Sequence, residues 1–357
     1  MEEENIGFNT SDKIFYNPAM KFCRSFFSLA VGAIDEKLDL LDAFSATGIR
    51  GIRYKKENKN VKSIAFLDYS KNAVKLIKQN IKKSKIKGKV HNDEFGSFLV
   101  CNRKEMDFNF IEIDPFGTPV PYLFDAVRAL SKQKRSYLSV TATDMAVLCG
   151  SEKRACMRNY HAKSLNNEFT HENGLRIVMK RIIDSASEFN LGITPLVSLS
   201  HRHYIKILVK LERNAEKSNE NMAQIGYINY CPKCLNRNAG EYEKTCPICG
   251  AVFDHAGPLW LGRLFDSVFL KTMKKNNESR LYSDRKEIGK VLDLMIGEAD
   301  MLPYYYDLHV LSKKLGHKAI PRTEDVLKRI EGVRTHFNVL GFKTKKSFKE
   351  LVELLND

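Results

Sequence analysis

Between residues 38 and 211, short apolar runs alternate with amphipathic helical stretches, and this alternation restricts the fold more than any other feature of the chain. LDLLDAF (38–44) reads as a buried strand, followed by a turn containing Gly48 and a helix through Tyr54. SIAFLD (63–68) is a second strand. The helix after it has Val74, Ile77 and Ile81 on one face and lysines on the other. FNFIEID (108–114) and YLSVTAT (137–143) are further strands, separated by TPVPYLFDAVRAL, a helix with proline in its first turn. A helix around 172–189 precedes ITPLVSLS and YIKILVKL, an expected antiparallel closing pair. A parallel pair needs a crossover, and a helix supplies it. The pattern therefore predicts an α/β, doubly wound, Rossmann-like sheet with helices on both faces. Residues 212–226 are polar and interrupt the pattern. After a cysteine segment at about 227–252, GPLWLGRLFDSVFLKTMKK, DLHVLSKKL, TEDVLKRIEGV and SFKELVELL read as helices, a small helical or winged-helix unit. A chain of 357 residues accommodates two such domains.

In an open α/β sheet, ligands bind beyond the carboxyl ends of the strands. Three of those ends carry suitable groups. The first is DAFSATGIRG, from Asp42 through Gly48 and Arg50 to Gly51, whose small residues let the backbone approach a ligand. It is not a GxGxxG turn and has no phosphate cradle. The second is Asp68, placed to hold two ribose hydroxyls. The third is Asp93–Glu94, where a carboxylate can accept an adenine amine. Each acid alone reads equally well as a helix cap. Three in register with successive strands point to a nucleoside without phosphates. S-adenosylmethionine is such a ligand, and NAD is the competitor that the absent phosphate loop opposes.

The fourth strand ends in Asp114-Pro115-Phe116-Gly117-Thr118-Pro119. An exocyclic amine conjugated to a ring is a poor nucleophile. A carboxylate at Asp114 and the Pro115 carbonyl can accept its N–H groups and favour tetrahedral nitrogen as attack proceeds. Phe116 can stack on the base. The alternative is a plain capped turn, since DPxG is a common turn sequence.

Cys231-Pro-Lys-Cys234 and Cys246-Pro-Ile-Cys249 place two thiolate pairs on tight turns, the spacing of a tetrahedral four-cysteine zinc site. With all four positions filled by cysteine, such a zinc orders a loop and does no chemistry. Lys233, Arg237 and Lys244 around it read either as phosphate contacts or as a solvated rim. Cys23, Cys101, Cys149 and Cys156 read as core or near-core thiols.

Lysine and arginine total 58 against 43 acidic residues, a net charge of +15. That excess favours an anionic partner, nucleic acid before a membrane surface, although a lysine-rich solvated surface also produces it. No stretch approaches the roughly 18 apolar residues of a span, and the polar start is unlike a secretory signal. A soluble, cytoplasmic protein is expected.

DPFGTP resembles the DPPY-type motifs of amino-methyltransferases. With DAFSATGIRGIR, TATDMAVLCG, FYNPAMKFCR, RACMRNY (154–160) and GPLWLGRLFD, it is similar to the tRNA guanosine-26 N2,N2-dimethyltransferase family, in order from about Phe15 to Phe342. The resemblance implies S-adenosyl-L-methionine as donor, tRNA as partner, and mono- then dimethylation of the guanine N2 at position 26. By matching position it puts Arg24 and Arg50 at the methionine end of the cofactor, beside Asp42. Asp68 lies at the ribose, and Asp93 and Glu94 lie at the adenine. Asp114 holds the target amine, and Phe116 and Phe15 flank the guanine. Cys23 and Ser25 depart from the family's asparagine and aspartate around Arg24, and Thr118 stands for serine. Asp144 and His161 are within reach of the cleft without an assigned role. The expected architecture is a Rossmann-like methyltransferase domain over 1–215 and a zinc-containing, mainly helical, tRNA-binding domain over 216–357, with no obligate protein partner. The rival readings are an amino-methyltransferase of another RNA or DNA base and a nonenzymatic zinc RNA-binding protein. Intact Asp42, Asp68, Asp93 and Asp114 oppose the second.

Overall fold

The computed structural model of the protein describes residues 1–102 and 107–356. Helix α1 (Lys21–Gly32) leads into alternating elements. These are β1 (Leu38–Ala43), α2 (Ile49–Glu57), β2 (Val61–Asp68), α3 (Lys71–Ser84), β3 (Lys89–Asn92), α4 (Phe95–Cys101), β4 (Phe110–Ile113), α5 (Val120–Leu130) and β5 (Arg135–Ala142). Short helices α6 (Met145–Leu148) and α7 (Lys153–Tyr160) precede α8 (Thr170–Ser187), and β6 (Leu191–His201) and β7 (Tyr204–Arg213) complete a seven-stranded sheet. Its order is β3-β2-β1-β4-β5-β7-β6. The first five strands are parallel, and β7 runs antiparallel to both β5 and β6. The doubly wound expectation describes this sheet, with β1 and β4 side by side where the strand order reverses.

The central strands read as unbroken apolar runs because both faces are covered. All four residues of β4 and five of the six in β1 are buried. Side chains alternate between faces along a strand, so polar residues two apart share a face. The pairing Asp42 to Glu112, Glu112 to Ser139 and Thr141 to Lys206 puts one row of polar groups on the α1–α2 side of the sheet.

Three elements depart from the expectations. The polar interruption at 212–226 contains a helix, α9 (Ala215–Ala223), whose Asn214 cap accepts from the Lys217 N–H. GPLW is not helical. It belongs to strand β10 (Asp254–Trp260), which pairs with β8 (Ile225–Tyr230), itself paired with β9 (Arg237–Gly240). Helical periodicity begins only at α10 (Ser267–Glu278), capped by Asp266, and continues in α11 (Arg285–Glu298). A second small sheet, β11 (Tyr306–Asp307), β12 (Val333–Arg334) and β13 (Gly341–Lys343), sits among α12 (Leu308–Leu315), α13 (Thr323–Arg329) and α14 (Phe348–Asn356). The C-terminal part is thus helical with two three-stranded sheets. Strands of two or three residues are too short to show an alternation in sequence.

Trp260 packs between the sheet system and this part. It is buried, its indole N–H donates to the Arg263 carbonyl at 2.9 Å, and its own carbonyl accepts from Arg176. No helix among the described residues is long and apolar enough to cross a membrane.

Candidate active site

The loop after β1 turns under strain. Phe44, Ala46 and Gly48 all have positive φ, at 62°, 49° and 77°. Left-handed backbone costs a non-glycine residue about 1 kcal/mol or more, and it persists where surrounding contacts over-determine it. Here the Ala46 N–H donates to Asp68 Oδ2 at 2.9 Å and the Gly48 N–H to the Ser45 carbonyl at 2.7 Å. A side chain at Gly51 would stand 2.6 Å from the Phe66 ring and 2.7 Å from Asp42 Oδ2, so only glycine lets α2 start this close to β1.

Asp42 is buried and accepts the Gly51 N–H at 3.0 Å. Burial and the neighbouring Glu112 push its carboxyl up to about 8. Asp68 also accepts the Ser70 N–H at 2.9 Å, so each carboxylate oxygen has one backbone donor and a lone pair to spare. Asp93 accepts the Glu94 N–H at 2.8 Å. Glu94 caps α4 by accepting from Ser97, and the Gly96 and Ser97 N–H groups hold its carboxyl below the usual range. Phe44, Phe95 and Tyr122 form a ring cluster beside these acids, with centroids 4.6 to 5.7 Å apart. Sequence reasoning missed this cluster. Its signal would have been an aromatic inside an otherwise small-residue turn.

Arg50 is buried and its NH2 group pairs with Asp114. Burial works to raise the Asp114 carboxyl, but Arg50 first and then Lys206 and Thr141 hold it below the usual carboxylate range. The hydrogen-bond direction is fixed here. The Lys206 ammonium can only donate, and it gives one proton to Glu112 and another to Thr141 Oγ1 at 2.8 Å. The Thr141 hydroxyl, its oxygen occupied by Lys206, keeps its own hydrogen free to turn toward Asp114, whose carboxyl it helps hold down. Glu112 accepts in addition from Tyr54 at 3.0 Å, so the buried Lys206–Glu112 pair is satisfied on both sides. Sequence reading saw Glu112 and Lys206 only as strand residues. Charged residues in strands buried on both faces were the available signal.

Asp114 keeps 22% of its side-chain surface open. Phe116 and Phe15 are 76% and 56% exposed, and they meet edge-to-face at 4.8 Å. The turn between Asp114 and Pro119 is fastened from below. Gly117 N–H donates to Thr143 Oγ1 at 2.8 Å, Thr143 N–H returns to the Gly117 carbonyl at 2.9 Å, and Thr118 donates to Tyr160, which donates to Asp144. Burial raises the Asp144 carboxyl. His161 ends α7 in a left-handed conformation.

Arg24 stands apart. It is buried, and its Nε and NH2 groups donate to Glu3, while NH2 also reaches the Asn17 carbonyl at 3.1 Å. Among the described residues no contact joins it to Asp68, Asp93, Asp114 or Arg50. In this structure it anchors the segment that carries Phe15, because Tyr16 donates to the same Glu3 at 2.7 Å.

The thiols of Cys231, Cys234, Cys246 and Cys249 all lie within 4.8 Å of one another. Cross-pairs are 3.5 Å for Cys231–Cys249 and 3.6 Å for Cys234–Cys246. The two turns are alike: Leu235 N–H donates to Cys231 O and Gly250 N–H to Cys246 O, both residues with positive φ. Arg237 is neither rim nor phosphate contact. It is buried, paired with Glu168 at 2.5 Å, and enclosed by the Phe169, Tyr230 and Tyr306 rings. Of the other cysteines, Cys23 and Cys156 are buried, Cys149 is partly so, and Cys101 is exposed.

Residues 1–356 match the family described as N2,N2-dimethylguanosine tRNA methyltransferase. The tRNA (guanine(26)-N(2)/guanine(27)-N(2))-dimethyltransferase of Aquifex aeolicus is 36% identical, with 96% of this chain and 90% of that protein covered. The tRNA (guanine(26)-N(2))-dimethyltransferase of Methanothermobacter thermautotrophicus is 34% identical, with 96% and 92% covered. The solved structure of Trm1 from Pyrococcus horikoshii with S-adenosyl-L-methionine superposes with a TM-score of 0.88 at 30% identity, covering 98% of this chain and 96% of that one.

Proposed function

The chain belongs to the N2,N2-dimethylguanosine tRNA methyltransferase family, and from that premise we propose how its residues divide the work. The reaction is S-adenosylmethionine-dependent methylation of guanine N2 in tRNA. The target we assign is guanosine 26, with neighbouring guanosine 27 the position to test beside it, because the Aquifex relative's name includes both.

One observation carries the assignment of roles: a partly open carboxylate, Asp114, is held charged by Arg50 and Thr141 next to two exposed rings. When bound, S-adenosylmethionine supplies an electrophilic methyl group at the β1–β4 end of the sheet. Asp68, with a lone pair left on each oxygen, takes the ribose hydroxyls. Asp93 and Glu94, with the Phe44–Phe95–Tyr122 rings, face the adenine. Arg50 lies at the methionine end above Asp42, while Arg24, through Glu3 and Tyr16, holds the segment that carries Phe15.

Phe116 and Phe15 hold the guanine ring, and Asp114 accepts its N2–H. The nitrogen lone pair forms the N–C bond as the S–C bond breaks, and the alkylated nitrogen then loses a proton. An N-alkylated ring amine in its cationic form is a strong acid, so even a carboxylate of low basicity accepts that proton. After the first transfer one N–H remains, which Asp114 can hold for a second round. Mono- followed by dimethylation therefore needs no second site.

In the knuckle, thiol separations of 3.5 and 3.6 Å approach the roughly 3.8 Å edge of a tetrahedron with Zn–S of about 2.3 Å. The four thiols fit zinc, and Asn236 donates to Cys246 Sγ as an outer partner. Zinc there orders the turns beneath β8–β10, within a tRNA-gripping part at 216–357, in a cytoplasmic enzyme.

The test is incubation with labelled S-adenosylmethionine and an unmodified tRNA transcript bearing guanosine at position 26, followed by nucleoside analysis. N2-methyl- and N2,N2-dimethylguanosine are expected; an adenosine-26 transcript abolishes them and Asp114→Ala slows their formation by roughly 10²–10⁴. Product that persists with adenosine at 26 would move the target to another guanosine. Product formed at an undiminished rate in Asp114→Ala would remove Asp114 from the chemistry.

A further inference from the structure

Some lysines of the C-terminal basic stretches are already paired within the fold. Lys343 is buried and donates to Glu172, Lys274 pairs with Asp293, and Lys346 pairs with Glu331. The opposite holds for α3 and the turn after it. Between Tyr69 and Asn92 the chain has eight lysines and no acidic residue. All eight are exposed. Among the described residues none of them makes an ion pair, and Lys83 alone donates a side-chain hydrogen bond, to Asn9 Oδ1 at 3.0 Å.

The spacing turns four of them into a row. Lys71, Lys75, Lys78 and Lys82 follow one another by four, three and four residues, so they share one face of α3, opposite the buried Ala73, Asn80 and Ser84. Eleven residues at 1.5 Å each make the row about 16 Å long. Like charges three or four apart on a helix destabilise it by about 0.2–0.5 kcal/mol per pair. Among the described residues no acid pairs with the row to relieve this repulsion, and a polyanion would relieve it.

The row is also tied to the catalytic strip. Asn80, on the buried side of α3, donates to the Thr47 carbonyl of the β1 loop at 2.8 Å and to the Asn9 carbonyl at 3.0 Å, and it accepts from the Asn9 N–H at 2.7 Å. Segment 9–15 then runs to Phe15 beside Phe116.

We propose that the lysine face of α3 is a phosphate track on the sheet domain, along which the tRNA backbone lies while the target guanine is held between Phe15 and Phe116. The proposal rests on tRNA being the substrate. Such contacts neutralise phosphates and set register without reading bases. Each contact releases counterions, so the track contributes to the salt dependence of binding.

The experiment measures the dissociation constant of an unmodified tRNA transcript against salt concentration. It uses the full-length enzyme, the Lys75→Ala/Lys78→Ala/Lys82→Ala variant, and the same triple change to arginine. The alanine variant should bind at least tenfold more weakly at low salt, with a log–log slope shallower by about 2 to 3. Its S-adenosylmethionine affinity should be unchanged, and its Tm equal or higher because the repulsion is gone. The arginine variant should keep the original slope. An alanine variant with unaltered slope overturns the track, as does an arginine variant as weak as the alanine one. Failure of the unaltered enzyme to bind or methylate tRNA would instead sink the functional reading.

Discussion

At the scale of single residues, the site works by fixing which groups carry protons. Asp114 is a carboxylate because Arg50, Lys206 and Thr141 outweigh its burial. Replacing it with alanine should lower kcat by roughly 10²–10⁴ and lower Tm as well, because the buried Arg50 guanidinium loses its partner. Thr141→Val removes one donor to the anion, so the Asp114 pKa rises. The acid limb of the kcat–pH profile should then move to higher pH, and a limb that stays in place would take Thr141 out of the charge-holding. Asp42 has the reverse behaviour. Folded, it keeps its proton up to about pH 8, whereas an unfolded aspartate releases it near pH 3.9. Folding therefore takes up a proton, and stability drains as pH climbs between those values. Asp42→Asn is neutral throughout and still accepts the Gly51 N–H, so its Tm advantage over the unaltered protein should be larger at pH 8 than at pH 5. An advantage that does not vary with pH would contradict the raised value.

At the scale of elements, small sheets are stabilised by something other than area. The β8–β10 sheet is short, and its cysteine turns pack on one another, on Phe253 and Ala251, and through Cys234 and Leu235 on the main core. Purified protein should contain about one zinc per chain by atomic emission, and a strong chelator should lower Tm as the knuckle opens. Cys246→Ser protein that retains full zinc would refute the four-cysteine assignment. The β11–β13 sheet is held by a buried charge cluster. Glu298 on α11 accepts from the His336 ring and from Thr335, and Lys343 lies 3.5 Å away. Burial opposes its charge, yet His336 and Lys343 hold the carboxyl down to about 2. A depressed acid stabilises the fold above its unfolded value and ceases to do so as pH falls toward its folded one. This group is worth roughly 3 kcal/mol at neutral pH, lost between about pH 5 and 2. In Glu298→Gln the fall of Tm over that acid range should be visibly shallower.

At the scale of the whole molecule, the first residues tie the two parts together. Glu3 is buried against Arg24, Arg53 and Tyr16, while Glu4 accepts from Ser283 before α11 and pairs with Lys21. Arg280 reaches back to the Glu57 carbonyl at the end of α2. Glu3→Ala leaves the buried Arg24 guanidinium without its acid, while Arg53 keeps Glu57, and breaking such a buried pair costs about 3–5 kcal/mol. Because Arg24 and Tyr16 position the chain next to Phe15, the variant should also lose methylation at temperatures where it is still folded. Full activity in a merely destabilised variant would separate the anchor from the site.

Much of this was legible in the residue order. Alternating burial and helical periodicity carry the parallel sheet, because each pattern has a period that a one-dimensional string records. Cysteine spacing likewise announces the thiol cluster, and the DPFGTP turn announces Asp114 and Phe116. The string could not show which charges meet. Lys206 lies 94 residues from Glu112, and only the register of β7 against β5, and of β4 beside it, brings both to Asp114. Arg24 and Arg237 look like surface cations in sequence, and each is buried because distant acids and rings close over it. The availability of a lysine depends on the same long-range pairing. The helix period lines up the α3 row in sequence, but only tertiary structure shows that no acid among the described residues folds back to cover it.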